Sequence, residues 1–223
     1  MATTPARPRT YDASRRRQRA EEEREATRRR VVEAAHRLFT TQGYTRTTVD
    51  AIAADAGVAL QSVYKAGKSK AELLHAVADF AVAGDHDKVF LTARATPGAI
   101  AAEPDAHRQV EMMADFIGST LERAAPVFRA YREAAGVDAR AAADLEATHL
   151  RRLETWRTLV RVVAPEALVV DYEAAADTVW AIGSIDLFLL LIDVRHWSAT
   201  QYRDWLVGAL GRTLLATTPP KRA

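Results

Sequence analysis

The chain has 223 residues, of which 48% are hydrophobic and 27% charged, a balance typical of a globular protein. It contains no cysteine, which excludes disulfide bonds, thiolate metal sites and cysteine nucleophiles and suits a reducing compartment. Residues 1–75 hold about 15 basic and 9 acidic side chains, whereas the remainder is net acidic. A basic segment joined to an acidic body favours a polyanion-binding module, although a basic tail without function remains an alternative.

The N-terminus lacks the apolar core of a secretory signal, and the longest apolar run, 187–192, is far shorter than the ~20 residues that span a bilayer. We therefore expect a cytoplasmic protein with no membrane partner. Alternating apolar and polar residues are absent, so the sequence predicts an all-α fold. Residues 1–25 are expected to form a basic, flexible arm whose later part extends the first helix.

The first firm helix is predicted over residues 27–42, where apolar residues recur at helical spacing. Gly43 follows at a position that requires a left-handed residue, and Tyr44 is placed to pack back on Phe39. A second helix is predicted from Thr48, with Thr47 as its N-cap and Asp50 as the capping-box partner.

Gly57 is predicted to turn the chain between two short helices, since a three- to four-residue turn needs a residue that tolerates positive φ. Ile52, Ala53 and Val63 are expected to form the small core where these helices cross. The second of them runs over 60–66. A box of Ser69 and Glu72 then begins a further helix, completing a head of about 50 residues.

At this point residues 26–76 resemble the DNA-binding domain of the tetracycline-repressor (TetR) family. The resemblance runs without gaps through the following residues: Ala34, Ala35, Leu38, Phe39, Gly43, Tyr44, Thr47, Thr48, Val49, Ile52, Ala53, Ala56, Gly57, Val58, Val63, Tyr64, Lys70, Leu73 and Leu74. Two positions depart from the family pattern. Ala59 stands where a capping serine is common, and Gly67 stands where a bulky aromatic residue usually follows the recognition helix.

A recognition helix lies in the major groove with its N-terminal residues near the base edges. With Val63 facing the core, the outward side chains are suited to contact bases: Gln61 pairs with adenine, Leu60 touches a thymine methyl, and Lys65 reaches guanine or phosphate. The resemblance implies phosphate contacts for Thr48, Tyr64 and Lys70. The expected DNA-binding residues are therefore Thr48, Leu60, Gln61, Ser62, Tyr64, Lys65 and Lys70.

Alternatives remain for three of these features. Tyr64 can instead be a half-buried packing residue, and Gln61 can simply be solvated. The arginines at 15–19 can contact phosphates or the minor groove, or they can provide only non-specific attraction.

The body, residues 77–223, is predicted to contain five more helices. The first begins near Pro104 and breaks at Pro126, and a short one ends at Gly136. The third begins near Asp138. A single helix is predicted over 171–194, and the last opens with a capping box at 198–201 stapled by Trp197 against Tyr202.

The last two helices are apolar around much of their circumference, which favours packing against a symmetric copy over a purely intramolecular core. The resemblance implies a four-helix dimer interface here, with the candidate residues Val179, Ile182, Leu189, Tyr202, Leu206 and Leu210. It also implies an effector cavity in the body. The residues expected to line it for an apolar or aromatic effector are Met113, Phe116, Phe128, Tyr131, His149, Trp156 and Trp180, with Met112 as a further candidate.

The functional hypothesis is a homodimeric repressor that binds a pseudo-palindromic operator and is released by a small apolar or aromatic effector, which tilts the heads through the helix starting at Ser69. An effector-independent or architectural DNA-binding protein is the alternative. Catalysis is rejected because the histidines are scattered and no HExxH, phosphate loop or nucleophile elbow occurs. No cofactor and no metal are expected, since the adjacent residues 85–87 cannot easily converge on one ion.

Overall fold

The computed structural model describes residues 10–83 and 95–216. The chain divides after Val77 into two compact units, Met1–Val77 and Ala78–Ala223. The all-α prediction is confirmed, because every described element is helical apart from one isolated bridge between Leu168 and Leu215. Unit 1 contains the first three helices and the start of the fourth. Their bounds are α1 Thr10–Arg46, α2 Val49–Ala56, α3 Leu60–Ala66 and α4 Lys70–Ala83.

The first helix begins at Thr10, well before the predicted residue 27, so the described part of the expected flexible arm is helical. Short-range pairs stabilise this exposed stretch, among them Arg24 with Glu21 at 3.3 Å. The helix is interrupted at Gly43, whose φ of 82° is positive as predicted but whose ψ of 174° is extended rather than left-handed helical. The ring of Tyr44 nevertheless stacks on Phe39 with centroids 5.8 Å apart, as the sequence predicts.

The N-cap of α2 is Thr48, not Thr47, which corrects the prediction by one residue. The Thr48 hydroxyl accepts a hydrogen bond from the Ala51 amide at 3.1 Å. Thr47 is fully buried, and its hydroxyl donates to the Gly43 carbonyl at 2.7 Å. Thr47 therefore ties the end of α1 to the following turn, because a buried hydroxyl needs an internal partner.

The turn between α2 and α3 confirms the helix-turn-helix prediction. Gly57 adopts a left-handed conformation with φ 63° and ψ 41°, and its amide bonds to the carbonyls of Ala53 and Ala54. Ile52 and Val63 are fully buried at the crossing. A glycine is needed here because other residues rarely adopt positive φ.

Both departures from the family pattern have visible consequences in unit 1. No side chain caps α3, since Ala59 has no acceptor to offer. Gly67 is buried, and a Cβ at this position would lie 2.8 Å from Cδ2 of Leu73 and 3.1 Å from the Leu73 amide nitrogen. Leu73 thus fills the space in which a larger residue at position 67 would stand.

Two substitutions in unit 1 should shift its stability in opposite directions. Ala59→Ser adds the missing cap to α3 and should raise the free energy of unfolding by about 1 kcal/mol. Gly67→Ala overpacks the site against Leu73 and should lower it by about 1–3 kcal/mol. Chemical denaturation of the two variants beside the parent protein measures both effects. A stabilising Gly67→Ala substitution would contradict the packing described here.

Unit 2 contains the end of α4 and six further helices: α5 Ala95–Ala102, α6 Ala106–Ala135, α7 Ala139–Leu159, α8 Tyr172–Ile182, α9 Ile185–Leu189 and α10 Ala199–Leu214. The helix α5 precedes the first body helix that the sequence predicts, which begins near Pro104. Asp138 caps α7 close to the predicted start. The predicted capping box at the start of α10 is present between Ser198 and Gln201. The ring of Trp197 packs against that of Trp205, with centroids 6.1 Å apart, whereas the sequence paired Trp197 with Tyr202.

The predicted break at Pro126 is wrong, because α6, which is 30 residues long, continues through the proline to Ala135. Buried residues keep helical spacing on both sides of the proline, among them Leu121, Ala125 and Phe128. The carbonyl that loses its partner belongs to Glu122, which is exposed and therefore open to solvent. Continuous packing of one face outweighs the lost hydrogen bond.

The single helix predicted over 171–194 is also wrong, since the segment consists of α8, α9 and a π-helical turn Leu190–Val194. Gly183 ends α8, and the Ser184 hydroxyl caps α9 by accepting from the Leu187 amide at 3.1 Å. The segment Tyr172–Val194 is long and apolar enough to cross a membrane. Its length and composition are weak evidence for a membrane span, because the segment is broken into shorter helices and is partly buried.

Candidate nucleic-acid interface and ligand cleft

The exposed side of α3 carries the residues that were predicted to meet bases. Leu60 and Tyr64 are 39% and 48% exposed, and Gln61 and Lys65 are also exposed. These four residues lie on one helical face because they are spaced by one, four and five positions. Val63 anchors the opposite face in the core, and Ser62 is half-buried on the flank. This face carries side chains of the kinds that contact base edges, and the DNA contacts themselves stay a prediction.

Thr48 is exposed at the N-terminus of α2, where free amides attract anions. Its hydroxyl is engaged by the Ala51 amide, so the helix terminus is ordered. The neighbouring Asp50 is acidic and exposed in the same turn, which opposes an approaching phosphate. The predicted phosphate contact of Thr48 therefore depends on its backbone amides and hydroxyl rather than on local net charge.

Lys70 holds the turn between α1 and α2 in place. Its ammonium group donates to the carbonyls of Tyr44 at 2.9 Å and Thr47 at 3.0 Å, and it lies 4.0 Å from the centroid of the Tyr44 ring. The turn leads directly to the Thr48 cap. The sequence predicts only a phosphate contact for Lys70 and does not indicate this second role. Every residue has a backbone carbonyl, so no pattern of residue types shows that Lys70 donates to two of them.

Replacing Lys70 by Met keeps the alkyl chain but removes the ammonium that donates to the carbonyls of Tyr44 and Thr47, of which the Tyr44 carbonyl keeps the Thr47 amide as a donor at 3.2 Å. We expect the free energy of unfolding to fall by about 1–3 kcal/mol, because unsatisfied groups are costly. A purely phosphate-binding lysine would instead lower DNA affinity equally for all sequences with unchanged stability. Denaturation and salt-dependent DNA titration of Lys70→Met separate the two outcomes. Lys65→Met on α3 is the comparison, because Lys65 is exposed and its loss should change DNA affinity without changing stability.

The arginines at 15, 16, 17 and 19 are exposed on the N-terminal part of α1. They are thus presented by a helix, not by a loose arm. The acidic residues that follow them pair within the helix, as Arg28 does with Glu25 at 3.7 Å. A contact between the basic end of α1 and phosphates stays a prediction.

The candidate effector residues are spread over unit 2. Met113, Phe128, Tyr131 and Trp156 are buried in the core, and Met112 and Phe116 are partly exposed on α6. His149 and Trp180 lie together in a cleft of about 510 Å³. The other cleft residues were not foreseen from sequence, and they are Glu146, Leu150, Arg152, Ala181, Ser184 and Asp186.

The base of this cleft is the break between α8 and α9. Arg152 on α7 donates to the carbonyls of Trp180 at 2.6 Å and Gly183 at 2.9 Å, and its guanidinium lies 5.3 Å from the Trp180 ring centroid. Tyr202 on α10 donates to the Ile182 carbonyl at 3.1 Å. Burial lowers the pKa of Arg152 to about 10, so the side chain stays charged at neutral pH.

Acidic and aromatic groups form the wall of the cleft. Asp186 accepts two hydrogen bonds from Arg132 through Oδ1, and its Oδ2 lies 3.8 Å from Nε2 of His149. Burial lowers the pKa of His149, and the Asp186 carboxylate opposes that shift only in part. The indole of Trp180 donates to the His149 carbonyl at 2.9 Å, which fixes the aromatic wall.

Two buried donors on α7 lack an acceptor. Within the part of the chain that the structure describes, no acceptor lies within hydrogen-bonding distance of Nε of Arg152 or Nε1 of Trp156. Such groups are rare in proteins and cost about 1–3 kcal/mol each.

The predicted dimer-interface side chains stay a prediction. Five of them, Val179, Leu189, Tyr202, Leu206 and Leu210, are at most 1% exposed within one protomer. Ile182 alone among the six is partly exposed. Apolar surface on this segment is carried instead by a set we call the α9 face, made of Leu187, Leu190, Leu191 and Val194, of which Leu190 is 52% and Val194 65% exposed.

Among residues 10–83 and 95–216, no group of three histidine, cysteine or carboxylate side chains is arranged to hold a metal ion. The acidic and histidine residues at 85–87 lie outside the described residues.

Comparison with known proteins gives the family of the N-terminal unit. Residues 31–77 match the sequence model of "Bacterial regulatory proteins, tetR family". The match covers the whole helix-turn-helix described above, so the resemblance recognised from the sequence is confirmed. Among curated proteins, none matches the chain significantly.

Solved structures share the fold over most of the chain. A TetR-family transcriptional regulator described from Rhodococcus sp. is 17% identical, with a TM-score of 0.65, and the match covers 85% of this chain and 98% of that one. NalD, the secondary repressor of the MexAB-OprM multidrug efflux pump in Pseudomonas aeruginosa, is 21% identical over 87% and 98%, with a TM-score of 0.59. SmeT, in complex with triclosan, is 16% identical over 88% and 96%, with a TM-score of 0.64.

Proposed function

We propose that this chain, which carries the tetR-family helix-turn-helix domain and the fold of TetR-family transcriptional regulators, is a dimeric repressor that binds a pseudo-palindromic DNA operator. The observation that carries the proposal is the exposed face of α3, where Leu60, Gln61, Tyr64 and Lys65 stand outward on a helix anchored by Val63. A cytoplasmic location, in association with the nucleoid, belongs to the same proposal.

Two copies of α3 in a symmetric dimer would enter successive major grooves about 34–36 Å apart. Gln61 would select adenine through a two-hydrogen-bond contact, and Lys65 and Tyr64 would contact guanine or phosphate. Thr48 and Lys70 would support phosphate contacts from the neighbouring helix starts.

Selection of binding sites from random DNA tests this function directly. We expect an inverted repeat with half-sites about one helical turn apart. Gln61→Ala should relax the base preference at one position in each half-site by about 1–3 kcal/mol, whereas Gln18→Ala on α1 should leave it unchanged. Equal selection by Gln61→Ala and the parent protein would contradict the assignment of the recognition face.

The α9 face supports dimerisation. Its residues are spaced by three, four and seven positions, which places an apolar stripe on one side of the segment. Such a stripe needs a partner surface, and a symmetric copy provides one because each protomer offers the same patch. Ile182 on α8 and Trp205 on α10 are further apolar residues that are partly exposed.

A charge on the α9 face should dissociate the dimer. We expect Leu190→Glu and Val194→Glu to shift the protein toward monomers in sedimentation experiments, since an unpaired charge is costly in an apolar interface. Val137→Glu is the matched control, because Val137 is 68% exposed but lies in the loop between α6 and α7. Unchanged dimers in both α9-face variants would place the interface elsewhere.

Release of the operator by a small molecule completes the proposal. The cleft at the α8–α9 break supports it, as does the ligand-bound state of SmeT. Effector binding and operator binding would each lower the affinity for the other ligand. The helix α4 would transmit this effect, because it begins in unit 1 and ends in unit 2. The alternative, an effector-independent DNA-binding protein, predicts no compound that both stabilises the protein and lowers its operator affinity.

A further inference from the structure

We infer that a second copy of the chain completes the cleft at the α8–α9 break, with the partner's Arg195 held opposite the exposed carboxylate of Glu146. The inference rests on the dimer of the proposed function. It adds the direction in which two α9 faces pack and a residue that each protomer gives to the cleft of the other. Two observations carry it: the order of residues along the α9 face, and two opposite charges that have no partner within one protomer.

The α9 face is symmetric along its own sequence. Its centre lies between Leu190 and Leu191, with Leu187 three residues before this pair and Val194 three residues after it. In a symmetric dimer, a residue of one protomer contacts its counterpart position on the other and the reverse contact is also made. A two-fold axis through the centre of the face therefore packs two antiparallel copies in register, Leu187 against the partner's Val194 and Leu190 against the partner's Leu191.

The charges at the two ends of the face favour this antiparallel direction. Asp186 directly precedes Leu187, and Arg195 directly follows Val194. Antiparallel packing brings the acidic end of one face to the level of the basic end of the other. Parallel packing would bring like charges together at both ends, which is unfavourable across an interface.

The carboxylate left for the partner's Arg195 is that of Glu146. Asp186 already accepts two hydrogen bonds from Arg132. Glu146 lines the same cleft and is exposed, and it stands three residues before His149, whose Nε2 lies 3.8 Å from Oδ2 of Asp186.

Neither charge is satisfied within one protomer. Among residues 10–83 and 95–216, the side chains of Glu146 and Arg195 make no hydrogen bond or ion pair. An arginine is suited to such a contact, because its long side chain carries a planar group that binds a carboxylate through two hydrogen bonds. The wall of the cleft then belongs to both protomers, and a compound bound there would contact both.

Charge reversal in the full-length chain tests the contact. We expect Glu146→Arg and Arg195→Glu each to raise the dimer dissociation constant on the order of three- to tenfold, since each turns two symmetric attractions into repulsions. The double variant exchanges the two charges and should return the constant to within about twofold of the parent value. Sedimentation equilibrium at low salt measures all four proteins.

A second double variant controls for net charge. Glu166 is exposed in the turn Pro165–Ala167 and is not among the residues that line the cleft. Glu166→Arg combined with Arg195→Glu has the same formal charge as the exchanged pair. It should stay as weakly dimeric as Arg195→Glu alone, because the reversed charge is in the wrong place.

Disulfide cross-linking tests the direction of packing, and the absence of native cysteine makes it specific. Positions 187 and 194 lie about 10 Å apart along the segment, too far for a disulfide within one chain. The double variant Leu187→Cys with Val194→Cys should therefore form covalent dimers on oxidation. Either single variant should not, because antiparallel packing also holds each position about 10 Å from its own copy.

Any of five results would overturn the inference: no weakening by the single charge reversals, no recovery in the exchanged pair, equal recovery in the Glu166 control, no covalent dimer from the double cysteine variant, or covalent dimers from a single one. A parent protein that dimerises and is dissociated by Leu190→Glu, yet gives one of these results, refutes this inference alone. A parent protein that stays monomeric refutes the dimer of the proposed function as well.

Discussion

The helix break at Gly183 is the constraint on which unit 2 depends. Ending α8 there leaves backbone carbonyls without intrahelical donors, and buried carbonyls must find partners elsewhere. Arg152 from α7 and Tyr202 from α10 provide them, at 2.6–3.1 Å. Two helices distant in sequence are thereby fixed to the same point. The cleft exists because the helix stops here, and its base is built from the groups that satisfy the break.

Much of the fold follows from sequence because local signals agree with the tertiary structure. In unit 1, the positive φ of Gly57, the burial of Ile52 and Val63 and the outward face of α3 are all specified within about 15 residues. The cap was misplaced by one residue, since Thr47 and Thr48 are equally good caps in isolation. Only burial distinguishes them, and burial depends on where the end of α1 lies.

The errors in unit 2 share one physical cause. A proline predicts a break and an apolar run predicts continuity, but both rules consider one helix without its neighbours. At Pro126 the packing of the buried face keeps the helix intact, and at Gly183 the donors from α7 and α10 stabilise an interruption. The sequence does contain a signal for the second case, because Ser184 followed by Asp186 is a good helix start within the apolar run.

The candidate dimer residues show the same limit. An apolar stripe on α8 and α10 indicates burial, but it does not say whether the burial occurs within a protomer or between protomers. Tyr202, Leu206 and Leu210 face the protomer core, where α10 packs on α6. The exposed apolar surface that we propose for a partner is the α9 face, which continues from α9 into the π-helical turn.

One short segment therefore serves two surfaces of unit 2. Asp186 of α9 and the Ser184 cap line the cleft, while Leu187 and Leu190 stand on the α9 face only a few residues later. A helix of five residues has little independent stability. The position of α9 therefore depends on its Ser184 cap, on the hydrogen bonds from Arg132 to Asp186, and on the side chains that donate to the carbonyls at the α8–α9 break. A ligand bound in the cleft would change the balance at that break. Because α9 carries part of the proposed dimer surface, such a change would alter the geometry between protomers, on which the spacing of two recognition helices depends.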